Sequence, residues 1–202
     1  MMNRTSARVF RESTMEKGVF NMSAIFITRE IPEEGLKLLK EKYRLKVNSA
    51  ERAVTRQEML EGVKEADALL CMLTDKVDRD LIESASSLKV VANMAVGVDN
   101  IDIEACTKRG VVVTNTPGAL TEATADLTWA LLLSVTRRIV EGDRFVRAGN
   151  FKGWAPLLFV GGDLYGKTLG IIGMGRIGQA VARRGLGFGL RIVYCKRERL
   201  PL

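Results

Sequence analysis

The chain has 202 residues, 47% of them hydrophobic and only 4 proline, enough to bury a core in one or two globular domains and too apolar for a disordered protein. Its longest apolar stretches, such as residues 129–133, fall far short of the ~20 residues that a membrane-spanning helix requires, so a soluble protein is expected. The net charge of +7 sits at the ends, with four basic and two acidic residues in 1–22 and seven basic and one acidic in 176–202, which argues against the broad basic face of a nucleic-acid binder.

Residues 1–22 contain Arg4, Arg8 and Arg11 among serines and threonines, but Glu12 and Glu16 count against a transit peptide. A disordered extension, or a true start at Met22, is expected there. From Ala24 the chain alternates short apolar strands with helical segments, the pattern of an α/β protein with a parallel sheet. "AIFIT" at 24–28 reads as a strand, and Pro32 in a first turn followed by Leu36, Leu38 and Leu39 reads as a helix. A strand over 45–47 leads to Thr55 and Glu58, spaced as a capping box that opens the next helix. "ALLCM" at 68–72 is a strand, a short helix follows Asp78, and "KVVAN" at 89–93 is another strand. After the loop "MAVGVDNID", Asp102 caps a helix ending at Gly110, and "VVVTN" at 111–115 is a further strand.

Residues 121–148 read as one long helix with Leu127, Ala130, Leu131, Ser134, Val135 and Arg138 on neighbouring faces. The following "GNFKGWAPLLFVGGDLYG" has no period and reads as a long loop, of a length that is often functional. Leu169, Ile171 and Ile172 then form a buried strand running into Gly173, and Ile177, Ala180 and Val181 give the next helix its apolar stripe. "RIVY" at 191–194 is the last strand.

Gly173, Gly175 and Gly178 stand at G-x-G-x-x-G spacing inside this strand, turn and helix. That context points to a dinucleotide site: Gly173 for the tight turn, Gly175 for close approach of a pyrophosphate, and Gly178 for packing of helix on strand. Backbone N–H groups near Arg176 and Ile177 would meet the phosphate charge. An acid that reads the ribose of NAD is due near position 196, but the residue there is Lys196, followed by Arg197 and Arg199. A cluster of cations suits a 2′-phosphate, so NADP(H) is preferred, NAD(H) remains possible, and a solvated basic edge is the plainer alternative. Three cysteines, Cys71, Cys106 and Cys195, are scattered and odd in number, which fits a reducing, cytoplasmic setting and suggests neither disulfides nor a zinc site.

Two long stretches, "VVANMAVGVDNIDIEACTKRGVVVTNTPGALTEATADLTWALLL" and "LYGKTLGIIGMGRIGQAVARR", resemble the D-isomer-specific 2-hydroxyacid dehydrogenases, and among them the glyoxylate/hydroxypyruvate reductases. The resemblance runs from about residue 23 to 202. It implies a flavodoxin-like substrate domain over 23–119 followed by an incomplete Rossmann domain over 120–202. It further implies that Val96 and Gly97 bind a substrate carboxylate through backbone N–H groups and that Thr124 lies near the cofactor. On residues alone, Gly97 also reads as a turn glycine and Thr124 as an ordinary first-turn residue.

The family's catalytic arginine, glutamate and histidine find no counterpart here, and the chain contains no histidine at all, the side chain best suited to proton transfer near neutral pH. Glu122, Asp99 and Asp126 match no catalytic position and read as helix-end or loop residues. The expectation is therefore the N-terminal part of a reductase of a small 2-oxo acid, glyoxylate or hydroxypyruvate, inactive alone. A non-catalytic dinucleotide-binding or regulatory protein and a non-functional truncated product are the alternatives. The resemblance also implies a homodimer in the full-length form. Trp154, Leu157, Leu158 and Phe159 suit either such a contact or internal packing.

Overall fold

The computed structural model describes residues 23–197, and the expectations for residues 1–22 and for Arg199 lie outside the described residues. By contacts these residues fall into two units: one runs to Asn93 and resumes over Asp99–Thr114, the other joins Met94–Val98 to the chain from Asn115 onward.

The first unit alternates β1 (Ala24–Ile27), α1 (Glu33–Lys40), β2 (Arg44–Val47), α2 (Arg56–Val63), β3 (Ala68–Cys71), α3 (Arg79–Ser84), β4 (Val90–Asn93), α4 (Ile103–Lys108) and β5 (Val112–Thr114). Its five strands form one parallel sheet in the order β2-β1-β3-β4-β5, the flavodoxin-like winding. Strands in such a sheet are apolar on both faces because helices cover both. Phe26, Leu69 and Val91 pack with Met59, Val63, Leu81, Ile82 and Cys106 of α2, α3 and α4, whereas Ile25 and Ile27 pack with Leu36 of α1. The helix starts stand where the sequence puts them. Thr55 and Glu58 form a full capping box on α2, and Asp78 and Asp102 accept the N–H groups of Leu81 and Ala105.

The second unit holds α5 (Thr121–Thr136), α6 (Ile139–Arg147), β6 (Thr168–Ile172), α7 (Arg176–Gly187) and β7 (Arg191–Cys195), with β6 and β7 paired in parallel. Trp129 centres its core. The ring stacks on Phe188 at 4.5 Å, and its Nε1 donates to the Val181 carbonyl at 3.0 Å, so the indole is buried with its one polar atom satisfied. Arg184 binds both Glu122 and Asp126 and so ties α7 to α5; Glu122 lies in the first turn of α5, the helix-end place expected of it, whereas Asp126 lies inside the helix.

Two sequence expectations are corrected in this unit, the single helix and the burial of Ile172. The single helix over 121–148 is two helices, broken where Arg138 adopts φ 55°, a left-handed conformation. Neither glycine nor proline marks the break. Instead Arg138 is held by an ion pair with Glu141 and by the ring of Phe159, with 5.0 Å between guanidinium and ring centroid. The face of α5 marked by Leu127, Leu131 and Val135 is exposed, at 59%, 59% and 78%, while Ala125 and Trp129 carry the core side. Ile172 is 95% exposed rather than buried, because it lies on the face of the β6–β7 pair away from the Trp129 core.

Candidate functional site

β6 ends at Ile172 and the chain turns through Gly173 at φ 95°, a backbone that an L side chain adopts only under strain. The Gly173 N–H donates to the Cys195 carbonyl at 2.9 Å, which ties the turn to the end of β7. Met174 is buried between two exposed glycines. A Cβ at Gly175 would meet nothing within 4 Å, so the backbone there is open to a ligand, whereas a Cβ at Gly178 would press into the Gly173 carbonyl oxygen. The third glycine thus lets α7 seat on the turn, and the second leaves the approach clear.

α7 begins at Arg176 with Gly175 as its N-cap and no side-chain cap, unlike α2, α3 and α4. The N–H groups of Arg176, Ile177 and Gly178 form its first turn, the end of a helix that carries partial positive charge and donors without intrahelical partners. Such an end suits a diphosphate. Lys196 and Arg197 follow β7 directly, exposed, and their side chains pair with no other described residue. Thr124 lies in the first turn of α5, half-buried, with its N–H bonded to the Leu120 carbonyl at 2.9 Å.

In the same unit the segment Met94–Val98 is held by the residues that follow β5. Thr116 donates to the Ala95 carbonyl from its N–H at 2.9 Å and from its hydroxyl at 3.1 Å, and Asn115 Nδ2 donates to the Val96 carbonyl at 2.7 Å. Val96 and Gly97 are both exposed residues. Asn115 and Thr116 escaped the sequence reading, although asparagine recurs at strand ends, as Asn93 and Asn115.

The first unit carries a buried polar network at the carboxyl ends of β1, β3 and β4. Thr28, Asp75 and Asn93 are its buried members. Asp75 accepts the Thr28 hydroxyl and the Met72 N–H, the latter at 2.8 Å. The Cys71 thiol donates to Asn93 Oδ1, and burial pushes its pKa up to about 12, so it stays protonated and unreactive. Nothing in residue spacing announced this network. Among the described residues no helix is long and apolar enough to cross a membrane.

The family model described as "D-isomer specific 2-hydroxyacid dehydrogenase, catalytic domain" matches residues 25–187. A glyoxylate reductase of Thermococcus litoralis is 56% identical over 181 residues, which cover 88% of this chain and 55% of the relative. The crystal structure of a Thermus thermophilus protein superimposes with a TM-score of 0.85 at 47% identity, covering 89% of this chain and 58% of that one. That of a glyoxylate reductase from Paecilomyes thermophila gives 0.73 at 31%, covering 90% and 58%. The chain spans about half the length of the curated relatives it matches. Family model, sequence relatives and parallel α/β architecture agree: the chain belongs to the D-isomer-specific 2-hydroxyacid dehydrogenase family.

Proposed function

We propose that this chain is the cofactor- and carboxylate-binding part of an NADPH-preferring reductase of a small 2-oxo acid, glyoxylate or hydroxypyruvate. In this reading residues 23–119 form the substrate domain and residues 120–202 the nucleotide-binding domain. The observation that carries it is the turn between β6 and α7, where Gly173 sits at φ 95° before an uncapped helix start. The residues fit a dinucleotide diphosphate: Gly173, Gly175 and Gly178 shape the turn, and the N–H groups of Arg176 and Ile177 bind the phosphate oxygens. Thr124 lies beside the cofactor. The reducing equivalent of the reaction is the hydride of the reduced nicotinamide.

Cofactor preference rests on Lys196 and Arg197, exposed and unpaired among the described residues, with Arg199 beyond them. A 2′-phosphate would gain charge-assisted hydrogen bonds from these cations, and no carboxylate stands at 196 to repel it. Lys196→Asp is expected to weaken NADPH by about tenfold, ~1.4 kcal/mol, and to leave NADH equal or tighter, measured by fluorescence titration. Tighter NADH than NADPH in the wild-type chain would sink the preference.

The backbone N–H groups of Val96 and Gly97 bind the substrate carboxylate, supported by the anchoring of Ala95 and Val96 through Thr116 and Asn115. The chain has no histidine, so its own residues bind and orient but supply no imidazole acid, and glyoxylate-dependent NADPH oxidation by this chain alone is expected at background. A second reading, a non-catalytic dinucleotide-binding protein, draws on the same glycine turn, which binds a dinucleotide whether or not a reaction follows. Oxamate, an unreactive isostere of a 2-oxo acid, separates the two, because the reductase reading requires it to bind and the other does not. A reducing, cytoplasmic setting belongs to the same proposal, supported by three unpaired cysteines.

A further inference from the structure

The chain leaves β4 at Asn93 and returns to the first unit at Asp99 and Asn100. Across the base of this excursion Asn93 Nδ2 donates to Asn100 Oδ1 at 3.0 Å. Asn100 in turn uses its amide on the loop that follows β3, donating to the Met72 carbonyl at 3.1 Å and the Asp75 carbonyl at 2.9 Å. Two backbone bonds of 2.8 Å, from Val77 N–H to the Asn100 carbonyl and from Asp102 N–H to the Val77 carbonyl, run alongside. One side chain therefore joins the loops that follow β3 and β4.

A partly buried amide with both donors and its acceptor matched holds a single geometry, since any displacement leaves a polar group unpaired away from water. An apolar contact would hold these loops less directionally. We propose that Asn100 is a positioning residue for recognition of the 2-oxo acid carboxylate: it pins both loops at the base of residues 94–98 and so aims the Val96 and Gly97 N–H groups. The proposal rests on the reading of that loop as the carboxylate cradle. Asn100 itself touches no substrate. It acts as supporting residues do at other binding sites, where loss of the support misaligns the groups that bind.

The test compares the wild-type chain with Asn100→Ala, Asn100→Asp and Val63→Ala. Asn100→Asp keeps the size of the side chain and the acceptor for Asn93 but loses both donors, and it remains informative where the alanine variant fails to fold. Val63 is buried in the core of the sheet and α2, and its truncation lowers stability without touching either loop. Oxamate affinity is measured by NMR titration of the NADPH-saturated chains, alongside NADPH affinity and amide hydrogen exchange over residues 94–98. Both Asn100 variants are expected to weaken oxamate by about tenfold, as loss of a supporting residue does, and to speed exchange in the loop. NADPH affinity stays unchanged, and Val63→Ala binds oxamate as the wild type does. Asn100 variants with wild-type oxamate affinity overturn the positioning role and leave the carboxylate cradle standing. Equal weakening by Val63→Ala overturns it too, by showing a general effect of stability. Failure of the wild-type chain to bind oxamate overturns the cradle itself, and the positioning role falls with it.

Discussion

Gly173 and Gly178 show how one G-x-G-x-x-G spacing serves two unrelated physical needs. Gly173 requires a left-handed backbone, and Gly178 requires that no Cβ intrude on the Gly173 carbonyl. Gly178→Ala raises helix propensity yet forces α7 off the turn, at a cost of about 1–3 kcal/mol from overpacking. The thermal midpoint of the variant is expected to fall, and NADPH binding to weaken with it, because displacing the first turn of α7 re-aims the N–H groups proposed to meet the diphosphate. A variant with wild-type midpoint and affinity would show that the close approach is not sustained in solution. Asn100 belongs at this scale too, since its effect runs through three hydrogen bonds of one side chain.

Among the elements, the helix starts of the first unit obey local rules closely. At α2 the Glu58 carboxylate accepts from Arg52 and from the Thr55 N–H, and these bonds lower its pKa from 4.5 to about 2. A carboxylate whose folded pKa is depressed stabilises the fold above its unfolded pKa, and that contribution is lost as pH falls through the folded value. The cap therefore weakens between about pH 4.5 and 2. Glu58→Gln is expected to flatten the pH dependence of the denaturation midpoint across that window while the wild type shows a slope. Equal slopes would remove Glu58 from the acid response. The helix over 121–148 obeyed local rules less well. Neither glycine nor proline stands at the break at Arg138, and one of the two groups that hold Arg138 there, Phe159 under the guanidinium, is distant in sequence.

At the scale of the whole molecule, the second unit exposes Leu127, Leu131 and Val135 of α5 together with Trp154 at 84% and Leu157 at 86%. Phe159 is different: its ring meets Phe145 edge-on at 5.0 Å, so the aromatic loop divides into one anchor and two exposed groups. We propose that in the full-length form these exposed apolar side chains of α5 serve a homodimer contact. Sedimentation of the wild-type chain is expected to show concentration-dependent association, and Leu131→Glu to abolish it by placing a charge in the contact. A wild-type chain that stays monomeric at high concentration would remove α5 from the proposed contact.

Sequence alone determined what depends on neighbours along the chain. The capped helix starts at Thr55, Asp78 and Asp102, the alternation of strands and helices, and the glycine turn at 173–178 all follow from short-range sterics and hydrogen bonding. Tertiary structure decided what depends on residues far apart. Which face of α5 is buried was set by Val181 and Phe188 meeting Trp129, because α5 is apolar nearly all round and its periodicity could not choose. The amide network of Asn93 and Asn100 was equally illegible. Its partners Met72 and Asp75 lie beyond β3, and only the parallel pairing of β3 with β4 carries their loops to the same end of the sheet.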